Sequence, residues 1–139
     1  LMDSTSVDSN TSNGDGGGIY MVGDITTRDV TVNANATDGD GGGIFNVGRT
    51  TIIRTIIENN TADANGGGMY STGAASVLGI SRSNILTNVA SNSDAVYVDA
   101  GQANITRSLL TGGSPPGTDG ILFVELGATA DVTLTTVTP

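Results

Sequence analysis

The chain has 139 residues, with 14 acidic side chains against five basic ones, all Arg, for a formal net charge of −9. A surface this acidic, with no basic stripe, repels phosphate backbones and anionic headgroups, which argues against nucleic acid and against an anionic membrane as partners. Cys and His are absent, so disulfides, thiolate metal sites and the two commonest nucleophile and base types are excluded. No apolar run approaches the roughly 18 residues of a membrane-spanning helix, so no membrane insertion is expected. The length fits a single domain over residues 1–139. A chain that opens on Leu1 reads as a mature or excised piece, an excerpt or subunit of a longer stack.

Along the chain the dominant feature is a repeat. Gly16-Gly17-Gly18-Ile19-Tyr20, Gly41-Gly42-Gly43-Ile44-Phe45 and Gly66-Gly67-Gly68-Met69-Tyr70 are one motif, and Gly18, Gly43 and Gly68 lie 25 residues apart. Ala95-Val96-Tyr97 and Gly120-Ile121-Leu122 extend the comb by steps of 27 and 25 residues. Between anchors the apolar residues, such as Ile25, Val30, Val32, Ile52 and Ile57, follow period two and are broken by Gly, Asp and Asn clusters. That pattern predicts short strands joined by turns, and no stretch has helical spacing. Val7, Val32, Ile57, Leu109 and Leu134 share one column, which Ile85 joins if three residues are inserted near Gly73 to Ser76. Asn10, Asn35, Asn60 and Asn88 share another, with Gly112 in the following repeat.

About 25 residues hold three strands and three turns but no crossover helix, and one such unit cannot bury its own apolar face. Stacking solves this, each coil pairing in parallel with the next at about 4.8 Å. The expected fold is therefore all-β: a right-handed parallel β-helix, a solenoid of about five coils, the hand following from the usual handedness of parallel connections. Ile19, Ile44, Met69, Val96 and Ile121 would form an interior aliphatic ladder, and the Asn column an amide ladder inside a turn.

The GGGIY and GGGIFN motifs, each followed by a β-branched strand and an Asn turn, resemble the β-helical repeats of microbial surface proteins. The polymorphic outer membrane proteins, whose repeats carry GGA[ILV] and FxxN, are one such family, and adhesin and autotransporter passenger domains are others. The resemblance runs from about Val7 to Leu134; FxxN is not met, and Ala95 stands where an anchoring Gly is expected. It implies an extracellular or cell-surface location and a scaffold that serves adhesion, filament building or polysaccharide lysis.

Two constellations are candidates for chemistry. Asp15, Asp40 and Asn65 stand three residues before their anchors, and Asp38 and Asp63 five before. Stacked carboxylates repel unless hydrated, protonated or bridged, and Ca²⁺ takes carboxylate, amide and carbonyl oxygens of this kind. Asp and Asn also favour turns before Gly with no metal at all. The second is an aromatic row, Tyr20, Phe45, Tyr70 and Tyr97, ending in Leu122. If its neighbours point inward, alternation points it outward, where it could stack sugar rings or form a protein contact; the rings could equally pack in the core, should the strand geometry flip, or stack only on one another.

Arg54 and Arg82 share a column in which Asp29 and Asp131 stand in other coils, a charge ladder as readily as catalytic groups. No outward column is uniformly Thr, which disfavours ice binding. Of the four glycosylation sequons, Asn59 and Asn104 are the acceptor candidates, because Asn10 and Asn35 belong to the amide ladder. These features together read as a non-catalytic structural or adhesive module, with a carbohydrate-binding or polysaccharide-cleaving β-helix as the alternative. The expected partners are another copy or a neighbouring β-helix chain through the terminal edges, Val132 to Pro139 included, and cell-surface glycans.

Overall fold

A computed structural model describes residues 1–113, 120–125, 127–133 and 136–138; Leu134 and Pro139, named above, lie outside the described residues. The expectation of an all-β parallel β-helix holds. Every ladder pairs one coil with the next in parallel, and no described residue is helical. Three sheets run along the axis. The first carries Ile19–Val22 and Ile25–Arg28, then Ile44–Ile53, Met69–Ser81, Val96–Val98 and Gln102–Thr106. The second stacks Ser6–Asp8, Thr31–Asn33, Ile56–Glu58, Asn84–Leu86, Leu109–Thr111 and Thr136–Thr138. The third stacks Thr11–Ser12, Ala36–Thr37, Thr61–Asn65 and Val89–Asn92.

The core is the inside of this tube. Ile44, Met69, Val96, Ile52, Ile57, Ile85 and Leu110 have no more than traces of exposed surface. The three-residue insertion is real: Thr72 pairs with Val47, but Val77 pairs with Arg49, so residues 73–76 form a bulge opposite Gly48, with Ala74 and Ala75 exposed and Ser76 buried, and the register resumes. Beyond it two columns differ from expectation. Ile85 pairs with Leu110, not Leu109, and Leu110 pairs with Val137. Val96 pairs with Leu122, not Ile121.

The last shift has a backbone cause. Gly120 has φ +81° and its carbonyl accepts from Asp94 N–H, just as the Gly66 carbonyl accepts from Gly42 N–H. Gly120 is thus the counterpart of the first, corner glycine of each triplet and not of the third. One corner residue is missing in that coil, and the Ile121 carbonyl accepts from both Ala95 and Val96 N–H.

Each coil turns three corners, and each corner spends a residue in the left-handed region. Ser4, Asp29, Arg54, Arg82 and Arg107 form one such column, with φ between 47° and 52°. Ser9, Ala34, Asn59 and Thr87 form the second, and Gly16, Gly41, Gly66, Ser93 and Gly120 the third. The first two are built almost wholly from non-glycine residues in a conformation that costs an L-residue of order 1 kcal/mol, so coil-to-coil pairing must hold them there.

The amide ladder is the clearest example of that pairing. Asn35 Oδ1 accepts from both the backbone N–H and the Nδ2 of Asn10, Asn60 Oδ1 does the same for Asn35, and Asn88 Oδ1 for Asn60. The second Nδ2 hydrogen of Asn35, Asn60 and Asn88 goes to the carbonyl of Val7, Val32 and Ile57 respectively. The position after Asn88 is Gly113, not Gly112. There the ladder stops, and the buried Asp94 carboxylate accepts the Gly113 N–H. A hydroxyl ladder of Thr55, Ser83 and Ser108 follows the Arg corner. Among the described residues no buried side-chain nitrogen or oxygen lacks a partner.

The glycine triplet exists because coils touch there. A Cβ on Gly42 would sit 2.5 Å from the Gly67 carbonyl oxygen and 2.6 Å from Thr61 backbone, whereas one on Gly14 would meet nothing within 4 Å. Gly42→Ala is therefore expected to cost about 1–3 kcal/mol in urea unfolding, and Gly14→Ala to stay within about 0.5 kcal/mol of the parent. Equal effects would contradict the close approach.

Candidate functional site

Strand alternation places the aromatic row on the outer face. In Ile44–Ile53, Ile44 and Asn46 point into the tube with no exposed surface, while Phe45 and Val47 join a separate cluster with Tyr70, Tyr97 and Phe123. Phe123, one residue beyond the predicted end at Leu122, continues the row. The rings stack at centroid distances of 4.9, 5.2 and 5.4 Å from Tyr20 through Tyr97, and Phe123 follows at 4.8 Å, tilted by 36°. The rung spacing of a parallel sheet dictates this, because a ring on every coil leaves only room for an offset stack.

Stacking decides what the row can do. Phe45, Tyr70 and Tyr97 are less than a tenth exposed although they lie outside the tube, whereas Tyr20 at the end is 54% exposed. A sugar stacks on a ring face, and the faces along the row are already occupied by neighbouring rings. What the row offers is edges and phenol oxygens, flanked by acids. Tyr97 Oη donates to Glu125 at 2.6 Å, and Thr72 Oγ1 to Asp99 at 2.5 Å. Burial first, then the charges of Asp99 and Asp40, pushes the Tyr70 phenol well above its usual range, so it remains a neutral donor.

The acidic column is a second hydrogen-bonded ladder. Asp15 Oδ1 accepts the Asp40 N–H, Asp40 Oδ1 accepts the backbone and side-chain N–H of Asn65, and Asn65 Oδ1 accepts from Asn92 Nδ2. Asp38 and Asp63 fall on adjacent rungs, since Thr37 pairs with Ala62, and both are exposed. Among the described residues no three acidic side chains gather at one point. The sequence placed these residues in one column correctly. It could not show that amide donors fill the space between rungs.

The Arg corner also needs revision. Arg54, Arg82 and Arg107 occupy consecutive rungs, because Ser81 pairs with both Ile53 and Thr106, so the chain carries a short basic column where the sequence suggested no basic stripe. Asp29 is the rung before Arg54, and its carboxylate takes the guanidinium fork at 2.7 and 2.6 Å. Asp131 is not in this column; it pairs with Asn104. In the fifth coil Thr133, two residues past Asp131, is still paired with Thr106, the residue before Arg107, so counting eleven residues from Gly120 stops short of the corner.

The acceptor candidates differ. Asn59 sits at a corner, its Nδ2 donating to Asn33 and its Oδ1 accepting from Thr87. Asn104 is exposed in the middle of Gln102–Thr106. Asn35 is buried in the amide ladder, as its register requires.

Comparison with known proteins adds one finding. Residues 4–21 match the model of the Chlamydia polymorphic membrane protein repeat. This is the family type the glycine motif resembles, and the matched stretch runs from the first corner through the first triplet to the start of the aromatic row. No curated protein and no solved structure matches the chain. Among the described residues no helix is long and apolar enough to cross a membrane.

Asp40 allows a pH test. Burial raises its carboxyl above the usual value, the Asn65 bonds oppose this, and the Asp15 and Asp99 charges add to the rise. A carboxyl raised on folding penalises the folded state when ionised, and the penalty fades as pH falls through the folded value towards 3.8. Asp40→Asn should raise the melting midpoint at pH 7 by a few degrees at most, with the gain vanishing in acid. A gain that persists unchanged at pH 3 would contradict this origin. Melting in excess chelator separates the two readings of the column. A lowered midpoint, abolished by Asp40→Ala, assigns a cation to it; an unchanged curve leaves turn preference alone.

Proposed function

We propose that this chain is a non-catalytic structural and adhesive module of a microbial cell surface, working as a rod whose ends take further coils. The observation that carries the reading is the use of its polar and aromatic groups. Rings, amides, hydroxyls and carboxylates are spent on the next coil along the axis, which is the economy of a scaffold. The repeat match at residues 4–21 supports the surface location.

The end coils support stacking. Among the described residues Ile19–Val22 pairs with Ile44–Val47 alone, and Leu122–Val124 with Val96–Val98 alone. Tyr20 and Val22 are 54% and 65% exposed on the first of these strands. An open parallel edge with an apolar flank is a template for another strand. A second copy or a neighbouring β-helix chain offers the matching ring and backbone phase. A carbohydrate-binding role draws support from the outward position of the ring row beside Asp99 and Glu125, but among the described residues only the end rings, Tyr20 and Phe123, have a face not stacked on a neighbouring ring.

Sedimentation over a range of concentrations tests the proposal. The chain should associate, and Tyr20→Asp with Val22→Lys, or removal of residues 132–139, should abolish association while circular dichroism stays β. A monodisperse monomer at high concentration would sink the stacking part of this reading.

A further inference from the structure

From the Arg corner we infer a binding site for a carboxylate-bearing glycan, centred on Arg82 and Arg107 and latent at Arg54. The inference rests on the surface-module reading for the class of ligand and on geometry for the site. The chain has only five basic residues against 14 acidic ones, yet three of the five occupy consecutive rungs of one corner. All three are exposed and share the left-handed backbone, with φ of 48°, 52° and 51°, so their side chains leave the corner from equivalent positions. Three like charges carried on consecutive rungs, whose backbones lie about 4.8 Å apart, repel one another, and the same corner position is filled by Ser4 and Asp29 in other coils, so the fold does not require Arg there.

The first rung shows what the arrangement suits. Asp29 stands one rung from Arg54 and takes its fork with two bonds, Nε to Oδ1 and Nη2 to Oδ2. It is an internal carboxylate bound by this column. Arg82 and Arg107 repeat the backbone of Arg54, and no ion pair joins either of them among the described residues. A planar carboxylate from outside can take the same fork at each, and at one rung's separation the two can hold carboxylates on successive units of one chain.

The surroundings favour a sugar over a peptide. Asn84 and Asn104 are exposed and Thr106 partly so, amide and hydroxyl groups of the kind that bond sugar hydroxyls, and the exposed Asp131 stands one rung beyond Asn104. The formal charge of −9 repels densely charged polyanions, so the site suits one carboxylate per sugar and not heavy sulfation.

Calorimetric titration with polygalacturonate tests this, with neutral dextran, dextran sulfate and polyglutamate as comparison probes. Polygalacturonate should bind, and Arg82→Gln with Arg107→Gln should weaken it about tenfold, the loss of roughly one charge-assisted contact. Asp29→Asn should strengthen it about threefold by releasing Arg54, a gain that a merely structural column would not give. The inference is overturned if polygalacturonate does not bind, or if the double variant binds it like the parent. It also falls if Asp29→Asn brings no gain, or if polyglutamate or dextran sulfate binds as tightly as polygalacturonate. Loss of binding with self-association intact removes this site alone, whereas loss of association with binding intact removes the stacking proposal alone.

Discussion

Everything in this molecule depends on one side chain meeting its own kind a single rung away. In a parallel stack the neighbour of each residue along the axis is the residue in the same place on the next coil, so the cross-strand pair that stabilises a sheet becomes a like–like pair. Amides suit this well, because an amide has a donor and an acceptor and Asn35 can serve Asn10 and Asn60 at once. Flat rings suit it through stacking, and aliphatic groups through burial. Carboxylates and guanidinium groups do not, and their columns carry the exceptions: Asn65 beneath Asp40, Asp29 beside Arg54. The interior is therefore a consequence of which side chains tolerate themselves.

The same rule explains what could be read from the sequence. A column of like residues at a fixed period reveals both the stack and its contents, which is why the amide ladder, the aliphatic interior and the insertion at 73–76 were legible. Register failed where a residue type has two uses. Glycine serves both as the left-handed corner and as the point of closest approach, and the lone Gly120 was read as the second when it is the first. From there Ile121 and Leu122 were each placed one residue out of step and the phenyl ring of Phe123 was missed, whereas Leu109 and Gly112 were displaced by one extra residue between Ala95 and Leu110.

The sites were less legible than the fold. Alternation gave the outward side of the aromatic row, but burial of Phe45, Tyr70 and Tyr97 on that side follows from ring-on-ring contact, which strand period does not encode. The acidic column was located with Asn65 in it as a possible cation ligand, but that its amide donates to Asp40 is visible only once the pairing is known. Asn104 and Asn59 both carry an Asn-x-Thr sequon, and the corner bonds of Asn59 tell them apart.

The direction of the hydrogen bonds has a mechanical consequence. They lie across the strands and therefore along the axis of the tube, so the junctions from Thr11–Ser12 to Val89–Asn92 are crossed by bonds from all three sheets and by the side-chain ladders beside them. A pull along the axis loads those bonds together, as strands of a cable share a weight. A pull on a loose end of the polypeptide loads them one after another, as a seam is unpicked. A tether gripping the corners of a coil would thus find a stiff, strong strut, and one gripping a chain terminus a thread that unwinds.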